Sequence, residues 1–268
     1  MITPVDLIHF DLLENPFTRF GDTRFFYPGL SGQRQALEAT HHFISSQKDP
    51  AKNLGVVSGS SGSGKSMLAM KLAETRFPTS GRGTHFGLYM NTNTVTEPRH
   101  FLMSVIETLG LPSSRSNANR IESIFERLAE GDDQLLLVLD GPPVDQEYLT
   151  QLLEWSVEHQ RKIKAVVFLQ DLNNLTSNIG GLNRFLGQYL TYSAPSVPEI
   201  ASMLFWRCLA AGHPDPTALF PEEEFGRIAQ KANGSLSEAL NLANQQFEAL
   251  LGAQNDRGIL TNFRKWKI

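Results

Sequence analysis

The run Gly59-Ser60-Ser61-Gly62-Ser63-Gly64-Lys65-Ser66 satisfies the pattern G-x-x-x-x-G-K-S, and residues of these types at this spacing are suited to holding a triphosphate. The glycines let successive backbone N–H groups converge on phosphate oxygens, Lys65 brings a positive charge to the β and γ positions, and the Ser66 hydroxyl suits Mg²⁺. Met67, next in the chain, completes the expected nucleotide-binding set. A Gly/Ser tether would share this composition, but a tether needs neither the apolar run Leu54-Gly55-Val56-Val57 before it nor Met67–Leu72 after it.

A nucleotide site of this kind needs a second acid. Asp140 closes the apolar stretch Leu135-Leu136-Leu137-Val138-Leu139 and matches the Walker B carboxylate that holds Mg²⁺ through its water shell. In many phosphate-loop ATPases a glutamate follows that Asp and polarises the attacking water; here the next residues are Gly141-Pro142-Pro143. Loss of such a group costs on the order of 10²–10⁴-fold in rate. Asp145 and Glu147 are the nearby carboxylates that would have to substitute. Gln170, after the apolar run Ile163–Leu169, stands where a polar side chain would sense the γ-phosphate or, equally, cap a turn. Its neighbour Asp171 would repel phosphate oxygens. Arg184 precedes the last apolar segment and is either an arginine finger reaching a neighbouring subunit's nucleotide or a plain surface arginine.

These groups require a scaffold that brings the ends of separate strands together. Strands are predicted at Leu54–Val57, Thr84–Asn91, Leu135–Asp140, Ile163–Leu169 and Tyr189–Ser193, separated by helical patterns that include Pro98–Leu109, Asn117–Glu130 and Tyr148–Glu158. Continuous apolar strands alternating with helices imply an α/β fold, a parallel sheet covered on both faces with ligands at the carboxyl ends of its strands. Beyond the sheet the pattern turns helical, at Pro198–Ala211, Pro221–Ala232 and Ser235–Leu251. The expected organisation is an aromatic arm (1–32), a phosphate-loop core (33–195), a small all-helical lid (196–252) and a tail (253–268). The arm is read as extended chain packed on a neighbouring surface.

Bulk properties narrow the function classes. A net charge of −4 over 268 residues gives no basic field that would demand nucleic acid, although a local patch is compatible with it. No apolar run of membrane-spanning length and no leader-like start is visible, so a cytoplasmic protein is expected. Cys208 is the single cysteine and is predicted to be a buried small apolar residue. Glu222-Glu223-Glu224 after Pro221 reads as helix initiation. The basic and aromatic tail Asn262-Phe263-Arg264-Lys265-Trp266-Lys267 is read first as a loose end or a strip that docks on a neighbouring subunit, and otherwise as a phosphate or lipid contact.

Taken in order, the motifs resemble those of the ExeA (general secretion pathway protein A) group of bacterial AAA+ ATPases over about residues 7–250. The most specific portion is the arm, His9-Phe10, Glu14-Asn15-Pro16-Phe17, Asp22-Thr23-Arg24-Phe25-Phe26-Tyr27 and Gln35-Ala36-Leu37. Asp140, Asn183-Arg184, Ala211-Gly212, Phe220 and Gly234 match later positions. The resemblance implies a P-loop NTPase core of AAA+ type with ATP and Mg²⁺ bound at the interfaces of a homo-oligomer, serving as an assembly or switch factor of a bacterial secretion or pilus machine in the envelope. Three departures stand out: Gly141-Pro142-Pro143 replaces Glu-Ala-Gln, Ser237-Glu238 occupies the place of a lid arginine, and the transmembrane and peptidoglycan-binding segments of the secretin-assembling members lie outside the match over 7–250. Two further readings stay open, a DNA-associated ATPase of the MuB type that forms nucleotide-dependent filaments, and a scaffold that binds ATP without turnover. On the sequence alone, restoring glutamate at 141 would separate the scaffold from an active enzyme.

Overall fold

A computed structural model describes residues 7, 10–18, 22–46, 49, 51–76, 83–94, 97–113, 116–143, 145–159, 162–170 and 179–256. The chain divides into two compact units, Gly32–Ser61 with Lys65–Ser193, and Met1–Ser31 with Gly62–Gly64 and Ala194–Ile268. His9, Asp171 and the tail motif 262–267 lie outside the described residues.

The first unit is built on five parallel strands, β1 Leu54–Gly59, β2 His85–Asn91, β3 Gln134–Asp140, β4 Ile163–Leu169 and β5 Leu186–Tyr192, in the order β2-β3-β4-β1-β5. β4 is buried throughout and β3 nearly so, because their apolar residues run without alternation and both faces are covered. Odd-numbered β3 residues Leu135, Leu137 and Leu139 meet one apolar layer, to which helices α3 (Pro98–Thr108), α4 (Asn117–Glu130) and α5 (Gln146–Glu158) contribute. Helix α2 (Lys65–Glu74) packs on β3 and β2, burying Leu68, Ala69 and Leu72. Period-two alternation thus leaves the even-numbered β3 residues, Asp140 included, on the opposite side from the odd ones.

Helix α1 (Ser31–Ser45) is held by a group that sequence periodicity does not reveal. The buried Lys164 ammonium, projecting from β4, donates to the carbonyls of Phe43 (3.0 Å), Ile44 and Ser46 (3.0 Å). A cation on the last carbonyls satisfies acceptors that helix geometry leaves open and complements the negative end of the helix dipole.

The second unit contains helices α6 (Val197–Ala210), α7 (Pro216–Leu219), α8 (Glu222–Ala232) and α9 (Leu236–Asp256). The four-residue α7 lies between the stretches read as helical at Pro198–Ala211 and Pro221–Ala232; the Asp215 carboxylate caps it by accepting from Thr217 N–H at 3.0 Å. Leu12, Phe17, Phe25 and Leu30 of the arm share one apolar cluster with Ile200, Leu204, Phe220, Phe225, Ala243 and Phe247. The arm is therefore part of this unit's core.

Polar contacts fasten the arm along its length. The Asn15 amide donates to the Asn244 side-chain oxygen at 2.8 Å, and Arg207 donates through Nε to Pro16 O at 2.6 Å and through Nη2 to Thr18 O at 2.8 Å. The Arg207 guanidinium also lies 4.3 Å from the Phe25 ring centroid, and burial lowers its pKa to about 10, still cationic at neutral pH. Cys208, beside it, is fully buried, and burial pushes its thiol up to about 12, which makes it inert packing.

Glu199 joins two N-terminal segments of the same unit. Its carboxylate accepts from the Ser31 N–H (2.7 Å), the Ser196 N–H (2.8 Å) and the Ser196 hydroxyl (2.7 Å). Burial raises the carboxyl pKa, but these bonds outweigh that effect and bring it to about 2, below the ordinary 4.5. The folded value is the lower one, so the stabilisation is complete above about pH 4.5 and is lost as pH falls toward 2. Glu199→Gln is expected to reduce the acid sensitivity of unfolding in that window. An acid limb with the same midpoint and slope as wild type would contradict this.

Candidate nucleotide site

The loop connects the carboxyl end of β1 to the first turn of α2. Gly62 and Gly64 adopt φ of 74° and 96°, in the left-handed region that side-chain-bearing residues avoid, which explains glycine at both. Ser63 and Lys65 are buried, whereas Ser60, Ser61 and Ser66 are exposed and Met67 is half-buried. The Lys65 ammonium donates to Gly59 O at 2.7 Å and Ser60 O at 2.6 Å. Burial lowers its pKa, and the negative charge of Asp140 opposes that shift.

Asp140 ends β3 and is buried. Register explains its surroundings: Tyr89 pairs with Val138 and Asn91 with Asp140, so Tyr89 and Asp140 emerge on one face, one pleat apart. The Tyr89 hydroxyl donates to Asp140 Oδ2 at 3.0 Å. Burial, together with the neighbouring carboxylate, pushes the phenol pKa upward, so Tyr89 stays protonated and remains a donor. The Asp140 carbonyl accepts from Thr92 N–H (3.1 Å), Thr92 Oγ1 (3.2 Å) and Asn93 Nδ2 (3.3 Å), which fixes the strand end where the acid projects. Tyr89, Thr92 and Asn93 had no signal in sequence, because only the β2–β3 register brings them to Asp140.

The position after Asp140 differs from the sequence-based expectation in a way that changes its meaning. Gly141 has φ of 121°, and a Cβ there would lie 2.4 Å from Thr92 Oγ1 and 3.0 Å from Asn93 Nδ2. A glutamate at 141 would thus be strained in this backbone and would have to displace Thr92 and Asn93, so a Gly141→Glu variant does not simply restore a base. Gly141→Ala is expected to cost about 1–3 kcal/mol of stability from the disfavoured φ and the contact with Thr92. Gly141→Glu should likewise lower the melting temperature without starting turnover; a Gly141→Glu protein that melts as wild type and hydrolyses ATP rapidly would refute this account.

The nearby carboxylates lie at the start of α5. Asp145 is the N-cap of α5, its Oδ1 accepting from Tyr148 N–H at 3.0 Å. Glu147 is exposed in the first turn of that helix, with Gln151 Nε2 at 3.4 Å from its Oε1. Gln170 is exposed immediately after β4, beside the β1 end where Ser58 pairs with Leu169. It is therefore placed at the same edge of the sheet as the loop.

Arg184 is not brought to that edge. It lies in the 3₁₀ turn Gly180–Phe185 just before β5, and Leu186 pairs with Leu54 at the start of β1, whereas Gly59 pairs with Tyr192 at its end. A strand of six residues separates the two edges, about 20 Å. The Arg184 side chain is exposed, ion-paired with Glu154 and 4.7 Å from the Phe185 ring centroid. Arg184 is thus remote from this chain's own phosphate loop. Ser237 and Glu238 begin α9, where the Glu238 N–H is capped by Ser235 Oγ at 3.2 Å; neither supplies a cation.

Ser66 and Asp140 carry the hard oxygen atoms that suit Mg²⁺, the hydroxyl as a direct donor and the carboxylate through the ion's water shell. Among the described residues no group of three or more His, Cys, Asp or Glu forms a metal cage. Mg²⁺ would therefore be completed by phosphate oxygens and water, entering with the nucleotide.

A five-stranded parallel sheet in this order, with a phosphate loop after β1, an acid after β3, and an all-helical region following, defines the AAA+ P-loop NTPase fold. Solved structures agree. The chain is similar to Cdc6p from Pyrobaculum aerophilum, with a TM-score of 0.63 and 16% identity over 88% of this chain and 67% of that one. It is similar to the Aeropyrum pernix ORC2 protein in its ADPNP-ADP complexes, at 0.65 and 18% over 88% and 67%. The Aeropyrum pernix ORC1 protein in complex with DNA gives 0.58 and 17% over 82% and 59%. No family model and no curated protein matches the sequence. At these identities the likeness establishes the fold, and the narrower ExeA-like resemblance rests on the sequence motifs alone. Among the described residues no helix is long and apolar enough to cross a membrane.

Proposed function

We propose that this protein is a nucleotide-dependent switch that binds Mg·ATP through Gly59–Ser66, with Met67 flanking the cradle, and hydrolyses it slowly. The observation that carries the reading is Gly141: the phosphate loop is intact, yet the residue after the strand-end acid is a glycine whose φ and close contacts with Thr92 and Asn93 disfavour a glutamate there. In this role Lys65 neutralises the β and γ oxygens, Ser66 and Asp140 hold Mg²⁺, and Gln170 senses the γ-phosphate. Arg184 would act on the nucleotide of an adjacent copy, which makes the active form a homo-oligomer. ATP then works by its differential contacts with two states of the assembly.

The ExeA-like arm supports a cytoplasmic protein that drives assembly of a bacterial envelope machine of the secretion or pilus type. A second reading, DNA association, is favoured by the solved ORC1–DNA complex of the same fold; the net charge of −4 weighs against it. Sedimentation with and without Mg·ATP, run beside a turnover assay, tests the switch. The expected result is an ATP-dependent gain in mass with turnover on the order of 10²–10⁴-fold below that of an ATPase carrying the base. Fast multiple turnover, or a mass indifferent to ATP, would sink the proposal. ATP-dependent duplex binding with a steep salt dependence would select the DNA reading.

A further inference from the structure

We propose that Tyr89 is a positioning residue for Mg²⁺: its hydroxyl orients the Asp140 carboxylate so that the acid meets the metal's water shell in a single pose. The inference rests on the Mg·nucleotide reading of the site and adds to it a residue outside the loop and acid motifs. Four observations carry it. Tyr89 is aimed by register, sharing a face with Val138 and Asp140. Its hydroxyl lies 3.0 Å from Asp140 Oδ2. The Asp140 carbonyl is pinned by Thr92 and Asn93, which leaves side-chain rotation as the freedom still to be restricted. Finally, the ring is half-buried, so phenylalanine would fill the same space, and the hydroxyl contributes a bond to the carboxylate that packing alone does not require.

A carboxylate that meets a metal through water is sensitive to its rotamer, because a small torsion moves both oxygens relative to the cation. Engaging one oxygen with a neutral donor fixes that torsion and leaves the second oxygen for the hydrated ion. Groups that orient metal ligands in this way typically contribute 10–100-fold in metal affinity. Tyr89 suits the task because its donor rides on a rigid ring anchored in a strand adjacent to β3.

The test is Tyr89→Phe in the full chain, with fluorescent ADP as the probe, titrated with MgCl₂ and compared with binding in EDTA. Wild type should bind ADP more tightly with Mg²⁺ than without. Tyr89→Phe should require about tenfold more Mg²⁺ for half-maximal enhancement. Its affinity in EDTA should be unchanged, because the loop amides and Lys65 carry the phosphates there. In an Asp140→Asn background the tyrosine substitution should have no further effect on Mg²⁺ dependence, since its target is already gone. An unchanged Mg²⁺ midpoint in Tyr89→Phe overturns the proposal. Equal weakening with and without Mg²⁺, or an additive effect in the Asp140→Asn background, also overturns it by showing a general packing role. If wild type binds ADP under neither condition, the nucleotide reading itself falls, an outcome distinct from the others.

Discussion

Phe17→Ala is expected to destabilise the helical unit by about 3–5 kcal/mol, the cost of removing a large side chain from a packed interior. Phe17 is 1% exposed, its ring centroid 5.7 Å from that of Phe220 and 6.0 Å from that of Phe247. Truncation would leave a cavity between rings contributed by two separate segments, Phe220 just after α7 and Phe247 on α9. Urea denaturation followed by far-ultraviolet circular dichroism, together with hydrogen exchange of the α6, α8 and α9 amides, measures this. A loosely attached arm predicts a change within about 0.5 kcal/mol. That smaller value would contradict the shared core, and with it the placement of Arg207 and Asn244 as arm anchors.

Lys65→Ala is expected to weaken Mg·ATP binding by about 100-fold while leaving the unliganded protein nearly as stable as wild type. Each bond from an ammonium to a charged acceptor contributes about 1.5–3 kcal/mol, and about 1.4 kcal/mol corresponds to a factor of ten. The net loss is moderated because Lys65 must release Gly59 O and Ser60 O before it meets a phosphate. Stability without ligand should change little, since those carbonyl bonds offset a desolvation that already disfavours the charge. Isothermal titration and ligand-induced shifts in melting temperature give both quantities. Retained affinity in Lys65→Ala would remove the loop from the site, and with it the switch reading.

What could be read from sequence divides by the range of the interaction. Leu135–Asp140 and Ile163–Leu169 were legible as strands because buried parallel strands carry an unbroken apolar run, and Asn117–Glu130 was legible because Ile121, Ile124, Phe125 and Leu128 recur at helical spacing. The loop was legible as local chemistry. Tyr89, by contrast, is 51 positions from Asp140 and meets it only through strand register, which no local pattern encodes. Asp145 looked like a spare acid until its capping geometry was known. The missing glutamate at 141 read as a substitution, and the φ of 121° adds that the glycine there sits in a conformation other residues rarely adopt. The arm's aromatic residues were recognisable as unusual, yet their partners lie some 200 positions away.

That last separation bears on how the protein is made. Asn15 and Asn244, which hydrogen-bond in the folded chain, are 229 positions apart. At about 5–20 residues per second, a ribosome that has finished the arm needs on the order of tens of seconds before α9 exists to receive it. Phe25 lacks its cover until α6 is made and Phe17 until α9 is, while the sheet unit is already being synthesised. Such a chain leaves an adhesive apolar segment waiting ahead of the sheet unit, the condition under which a nascent protein depends on chaperones and crowded polysomes favour entanglement between neighbouring copies.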